Sequence, residues 1–196
     1  GIAMAFLASV MGYKAVLVMS ESMSVERISL MEAYGAKVFL TSASGGMKES
    51  IAKAQEMGTR PGYHYLDQFH NIQNVNAHKQ TTAQEIMKDF ADLDFIVSGI
   101  GTSGTIMGLA EVLKPHYPNL KMIGVEPKES AVLTANTPGR HRIQGIGAGF
   151  VPPLLKRELI DWVEVVASDD AVSEMEKLWK KGLYVGISSA CAVIAG

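Results

Sequence analysis

Apolar residues along this chain come in two rhythms that take turns. Short runs at residues 15–19, 37–41, 95–97, 122–125 and 162–167 read as buried strands. A parallel strand covered on both faces has no polar side to show. Between these runs, apolar positions recur three and four apart, the spacing of one helix face. The chain opens inside such a helix, at residues 1–11. A second runs through Val25, Ile28 and Met31, with Ser24 as N-cap and Gly35 as stop. A third follows Gly45 and Gly46 and ends through Met57. Residues 81–90 predict another, with Thr82 and Glu85 at capping-box spacing. The next carries Ile106, Met107, Leu109, Ala110, Val112 and Leu113, and stops at Pro115. Ser168, Asp169 and Asp170 cap a helix with Val172, Met175, Leu178 and Trp179 on one face, and Gly182 ends it. Shorter strands are predicted at residues 63–66 and around Tyr184, the latter leading through Ser188 and Ser189 into a helix start.

Strands alternating with helices predict an α/β fold: two three-layer α/β units, each with a parallel sheet. Residues 1–70 form the smaller unit and residues 71–196 the larger. The crossover is expected in the polar, amide-rich stretch 67–79, which holds Gln68, Asn71, Gln73, Asn74 and Asn76. Residues 128–142 show no strong period. No cap precedes Gly1, and residues 189–196 look like the first turns of a further helix, so the chain is expected to be a fragment.

Composition narrows the function little. The 196 residues are 47% hydrophobic and 19% charged, with a formal charge of −2, which points to no nucleic-acid or polyanion partner. No apolar run is long enough to span a membrane, and the apolar start lacks a basic flank and a cleavage site. Cys191 is the single cysteine, read as a small buried residue; a reducing compartment, the cytoplasm, is the expected home. His64, His70, His78, His116 and His141 have no metal-ligand spacing, so structural or solvated roles are expected. Lys48, at a helix start, reads as a solvated lysine.

Chemistry concentrates after the strand at residue 95. Ser98, Gly99, Gly101, Thr102, Ser103, Gly104 and Thr105 break the apolar run before the helix begins. Strand, glycine loop and helix N-terminus make an anion site: amide hydrogens are unspent, the helix dipole is positive there, and glycines admit close approach. Thr102, Ser103 and Thr105 could add hydroxyl donors to a compact phosphate. The spacing of Gly99, Gly101 and Gly104 also fits a dinucleotide fingerprint, with Glu126 ending the next strand as a ribose partner. An ordinary strand-to-helix turn is the third reading, and these residues alone leave all three open. Gly145, Gly147 and Gly149 mark a second place where backbone comes close to something.

Several segments together resemble the cysteine synthases (O-acetylserine sulfhydrylases) of the fold-type II pyridoxal-phosphate family, which includes the tryptophan synthase β chain. The matching stretches are residues 1–3, which look like the tail of the family's substrate loop, and 23–27, then Gln68-Phe69, Gly101-Thr-Ser-Gly-Thr105 and Val125-Glu-Pro127. Ile143-Gln-Gly-Ile-Gly-Ala-Gly-Phe150 and Gly186-Ile-Ser-Ser189 complete the set, in the family's order and over the whole chain.

The resemblance implies pyridoxal 5'-phosphate rather than a dinucleotide. By it, Gly101, Thr102, Ser103, Gly104 and Thr105 bind the cofactor phosphate and Ser188 faces the pyridine nitrogen. Gln68 takes the substrate carboxylate, and Gly145 lines the substrate side of a closing cleft. Serine stands at 103 where the family usually has glycine, and alanine at 190 where glycine is frequent. The Schiff-base lysine and the substrate-loop serine and asparagine are expected upstream of Gly1, and nothing around Lys48 matches the lysine motif. The implied reaction is β-replacement: O-acetylserine loses its α-proton and acetate, and sulfide adds to give cysteine. A cystathionine β-synthase-like or dehydratase activity is the sister reading, and a non-catalytic fragment or binding module the third. A homodimer is implied, and the C-terminal tail of serine acetyltransferase is a possible partner by the same resemblance.

Overall fold

The computed structural model describes residues 1–196 and divides into two compact units, Gly1–Leu66 and Asp67–Gly196. The division falls just before the boundary at residue 70 expected from the sequence.

The first unit contains α1 (Ile2–Met11), β1 (Val16–Ser20), α2 (Val25–Ala33), β2 (Lys37–Thr41) and α3 (Gly46–Gly58). β1 and β2 pair in parallel, Val16 opposite Lys37 and Ser20 opposite Thr41. On one face Leu17, Met19 and Val38 pack against Ala5 of α1 and Met31 of α2. On the other, the Thr41 and Ser50 hydroxyls meet at 2.7 Å and tie β2 to α3. Gly35, at φ 83°, takes the left-handed turn that lets the chain leave α2 for β2. The strand expected at residues 63–66 does not form. The sheet of this unit holds β1 and β2 alone, and Tyr63 and Leu66 are exposed.

The second unit contains α4 (Gln73–Gln80), α5 (Thr82–Asp89), β3 (Phe95–Gly99), α6 (Gly104–His116), β4 (Lys121–Pro127), β5 (Trp162–Val166), α7 (Ser168–Lys180) and α8 (Ile187–Ala195). Its sheet is parallel, in the order β3-β4-β5. Side chains leave a strand on alternate faces. Ile96, Met122 and Val163 accordingly join Val75, Ala83, Met107 and Leu113 of α4, α5 and α6. Val97, Val125 and Val166 join Ala171 of α7 and Cys191 of α8 on the opposite face. The three layers predicted for an α/β unit are present.

Three local expectations in this unit are corrected, and one helix was not foreseen: the stretch 67–79 contains α4. The only buried residue of α4 is Val75, too sparse a pattern to show a helical period. Tertiary contact forms this helix instead. A Cβ at Gly108 of α6 would lie 2.7 Å from the Val75 carbonyl oxygen, so the two helices meet backbone to backbone. Thr82 and Glu85 make no capping box: the Thr82 hydroxyl lies 2.9 Å from His78 Nδ1 instead. Ser168 does not cap α7 with its side chain either. Its hydroxyl accepts the Arg142 amide at 3.0 Å, while the Glu129 carboxylate accepts the Ser168 amide at 2.7 Å. Around Tyr184 there is no strand. Trp179 donates its indole N–H to the Val185 carbonyl at 2.8 Å and stacks on Tyr184, pinning the segment by side chain rather than by ladder.

The lower end of the sheet is held by one carboxylate. Asp161 accepts the Met122 amide at 2.8 Å, the Lys114 ammonium at 2.7 Å and the Lys121 ammonium at 3.2 Å. Burial pushes its carboxyl up, but these donors outweigh burial and hold the pKa at about 2, below the ordinary 3.8. A carboxyl whose folded pKa lies below its unfolded one stabilises the fold above the unfolded value. That contribution fades as pH falls from about 4 to about 2. Asp161→Asn is therefore expected to cost about 2 kcal/mol near neutral pH. Thermal melts across pH should show wild type and variant converging in acid. A constant difference at every pH would count against the account.

Candidate functional site

The glycine loop leaves the C-terminal end of β3, where open parallel sheets gather their ligands. Two backbone bonds fix its start. Ile100 donates its amide to the Val125 carbonyl at 2.9 Å, and its own carbonyl accepts the Gly147 amide at 3.0 Å. The loop is thus bonded to β4 on one side and to the segment 143–150 on the other. Gly101 is necessary at this meeting, because a Cβ there would lie 2.5 Å from the Gly145 carbonyl oxygen.

Ser103 then takes the left-handed conformation, φ 66°, as the N-cap of α6, and its carbonyl accepts the Met107 amide at 3.0 Å. Ser103 is buried, and its hydroxyl donates to the neighbouring Thr102 carbonyl at 2.5 Å. The amides of Thr102, Ser103 and Thr105 find no acceptor in the chain, and the first turn of α6 holds no acidic residue. Unspent amides, a positive helix end and no competing carboxylate fit a compact anion such as phosphate.

Helix α4 supports this loop, which the sequence reading missed. Asn74 donates one amide hydrogen to the Gln68 carbonyl at 3.0 Å and the other to Thr102 Oγ1 at 2.8 Å. A Cβ at Gly104 would collide with the Asn74 side chain. One turn on, His78 Nε2 lies 3.1 Å from Thr105 Oγ1. Asn74 and His78 stand at i and i+4, one helix face, and that spacing was the available signal. It carried no weight without a helix to place it on.

Gln68 follows Asp67, whose φ is 43°, and its side chain is exposed. Its backbone is held by Asn74, and the next residue, Phe69, is buried against Phe150 with ring centroids 5.0 Å apart. The segment 143–150 turns through Gly145, Gly147 and Gly149, all at positive φ, and His141 donates Nε2–H to the Gly147 carbonyl at 2.8 Å. Ser188 lies in the first turn of α8, half-buried, with a hydroxyl that takes no partner from the chain. A Cβ built on Gly145 would sit 3.9 Å from Ser188 Oγ. Gly145 therefore borders both Gly101 and Ser188. The second unit brings together Gly101 to Thr105, Gly145, Ser188 and, through Asn74, Gln68. Lys48 is exposed on α3 of the first unit.

The dinucleotide reading fails on Glu126. Its carboxylate is 1% exposed and accepts the Leu133 amide at 2.8 Å, the Thr134 amide at 2.9 Å and the Thr134 hydroxyl at 2.6 Å. Nothing is left of it for a ribose. Cys191 is buried, and burial, with the Glu129 charge, pushes its thiol up to about 11, so it is no nucleophile.

Comparison with known proteins shows the family. A cysteine synthase of a Flavobacterium species is 48% identical over 189 residues, covering 95% of this chain and 62% of the relative. The crystal structure of the cysteine synthase from Entamoeba histolytica superposes with a TM-score of 0.92 at 41% identity, over 100% of this chain and 59% of that one. The O-acetylserine dependent cystathionine beta-synthase from Helicobacter pylori superposes at 0.94 with 38% identity, over 98% and 64%. The chain thus spans about three fifths of the length of these relatives. A family model for the pyridoxal-phosphate dependent enzymes matches residues 1–196, and the chain belongs to that family, on the fold-type II scaffold of its structural neighbours.

Proposed function

We propose that this chain carries the cofactor-holding part of an enzyme that makes L-cysteine from O-acetylserine and sulfide by β-replacement. The observation that carries the reading is Gly145, which borders both the phosphate loop at Gly101 and the unpartnered hydroxyl of Ser188. Phosphate and ring of one pyridoxal phosphate can be served from those two places.

When bound, the cofactor supplies the electron sink that lets an amino-acid α-proton leave. The chain's own residues do the positioning. The unspent amides of the loop and the hydroxyls of Thr102 and Thr105 would hold the phosphate. Ser188 would meet the pyridine nitrogen with a neutral hydroxyl, which, unlike a carboxylate, does not hold that nitrogen protonated and so leaves the ring a weaker electron sink. Gln68 orients the substrate carboxylate, and Gly145 leaves room for the substrate beside it. A homodimer, the tail of serine acetyltransferase as partner and a cytoplasmic location complete the proposal, all resting on the family resemblance.

A second reading is favoured by one observation, the likeness to the O-acetylserine dependent cystathionine beta-synthase. Supplying the complete enzyme with O-acetylserine and either sulfide or homocysteine separates the two. Cysteine formation in clear excess is expected; preferential cystathionine formation would reverse the assignment.

Two substitutions test the site. Ser188→Asp should lower the β-replacement rate about tenfold or more, about 1.4 kcal/mol of lost transition-state stabilisation, and should change the cofactor absorption spectrum. Unchanged turnover with an unchanged spectrum would remove Ser188 from the ring. Ser103→Gly addresses the loop. A non-glycine residue at positive φ costs about 1–2 kcal/mol, and the flexibility that glycine adds to the unfolded chain offsets part of this gain. The net expectation is a melting temperature higher by about 2 °C, with inorganic phosphate still bound because the donor at 103 is a backbone amide. A lower melting temperature or lost phosphate binding would contradict it.

A further inference from the structure

Resting on the pyridoxal-phosphate reading, the geometry points to Asn74 and His78 as positioning residues: they occupy the lone pairs of Thr102 and Thr105 and so turn both hydroxyl protons toward the phosphate.

The direction of the first bond is fixed by elimination. The Gln68 carbonyl oxygen can only accept, so the Asn74 atom 3.0 Å from it is the NH2 group. That group can only donate, so Thr102 Oγ1, 2.8 Å from it, is the acceptor. Its own proton points elsewhere, and the neighbouring Thr102, Ser103 and Thr105 amides are likewise unspent. The second bond completes the inference by assigning the imidazole tautomer. With the Thr82 hydroxyl donating to His78 Nδ1, 2.9 Å away, the imidazole proton sits on Nε2, 3.1 Å from Thr105 Oγ1. Both threonines then act on the anion as donors rather than as rotors that could present a lone pair. A hydroxyl facing an anion with its lone pair repels it, so preset direction adds to binding without adding a contact.

Two donors on one face of α4 do this, and α4 is held at that distance by the Gly108 contact with the Val75 carbonyl. The consequence is that α4, which touches no phosphate itself, sets how well the loop holds one.

The test uses the complete apoprotein titrated with pyridoxal 5'-phosphate and with pyridoxal, which lacks the phosphate, with melting temperatures as fold controls. Wild type should strongly prefer the phosphorylated form. Asn74→Asp, whose carboxylate accepts where the amide donated, should draw the Thr102 proton to itself. Affinity for pyridoxal 5'-phosphate should fall about tenfold or more, with pyridoxal binding unchanged. A double-mutant cycle separates hydroxyl direction from the added charge. In a Thr102→Ala background the Asn74→Asp effect should largely vanish. An undiminished effect in that background, or no effect of Asn74→Asp at all, overturns the inference and leaves the cofactor reading intact. No preference for the phosphorylated form in wild type overturns the cofactor reading itself. If Asn74→Asp does not fold, the same cycle with His78→Phe and Thr105→Val decides the matter by the same two outcomes.

Discussion

The site depends on one close approach between backbones. At Gly101 the chain leaving β3 runs against the carbonyl of Gly145, with 2.5 Å for any Cβ placed between them. That distance admits only glycine, and it lets Ile100 bond to β4 on one side and to Gly147 on the other. The turn after a parallel strand, the start of α6 and the glycine-rich segment near α8 become one surface because no side chain separates them. A similar economy holds α4 on α6, where Gly108 lets helix backbone meet helix backbone. In both places the missing Cβ lets main-chain atoms of separate segments meet, and at Gly101 this brings loop amides together, which is what binding a small anion by amides requires.

Much of this was legible from the sequence, for a simple reason. Strands buried on both faces appear as unbroken apolar runs, so β2 falls where residues 37–41 predicted it, and β3, β4 and β5 differ from expectation only at their ends. The segments that misled are those whose conformation is set from outside. Residues 63–66 and Tyr184 have strand-like composition, but pairing needs a neighbour, and composition cannot supply one. α4 errs in the other direction: poor in apolar residues, it is helical because α6 offers a glycine to lie against.

The same division runs through the site. Gly101 to Thr105 could be read locally, since strand, loop and helix N-terminus are consecutive and their chemistry is that of the backbone. Asn74 and His78 could not, because their contribution is a hydrogen bond to a residue distant in sequence. Glu126 shows the converse hazard. At the end of a strand after a glycine loop, its position suggests a ribose ligand, yet two backbone amides and a hydroxyl consume the carboxylate. Spacing records where a side chain begins but not which donors reach it first.

That consumption of carboxylates also bears on why the loop can serve an anion at all. Two acidic residues, Glu126 near the end of β4 and Glu129 just past it, stand on this chain segment, and free carboxylates near the loop would oppose a phosphate. Glu126 spends its oxygens on the turn at residues 133–134. Glu129 is pushed up by burial, but the amide and hydroxyl of Ser168 more than offset this and hold it below the ordinary carboxylate range. Its charge is thereby committed to the start of α7, where a helix N-terminus stabilises it. Both acids keep structural duties, and the first turn of α6 has no acid of its own. The positive end of that helix is left without a countercharge from the chain, which lets the proposed phosphate site do without a lysine or arginine in the loop of a chain of formal charge −2.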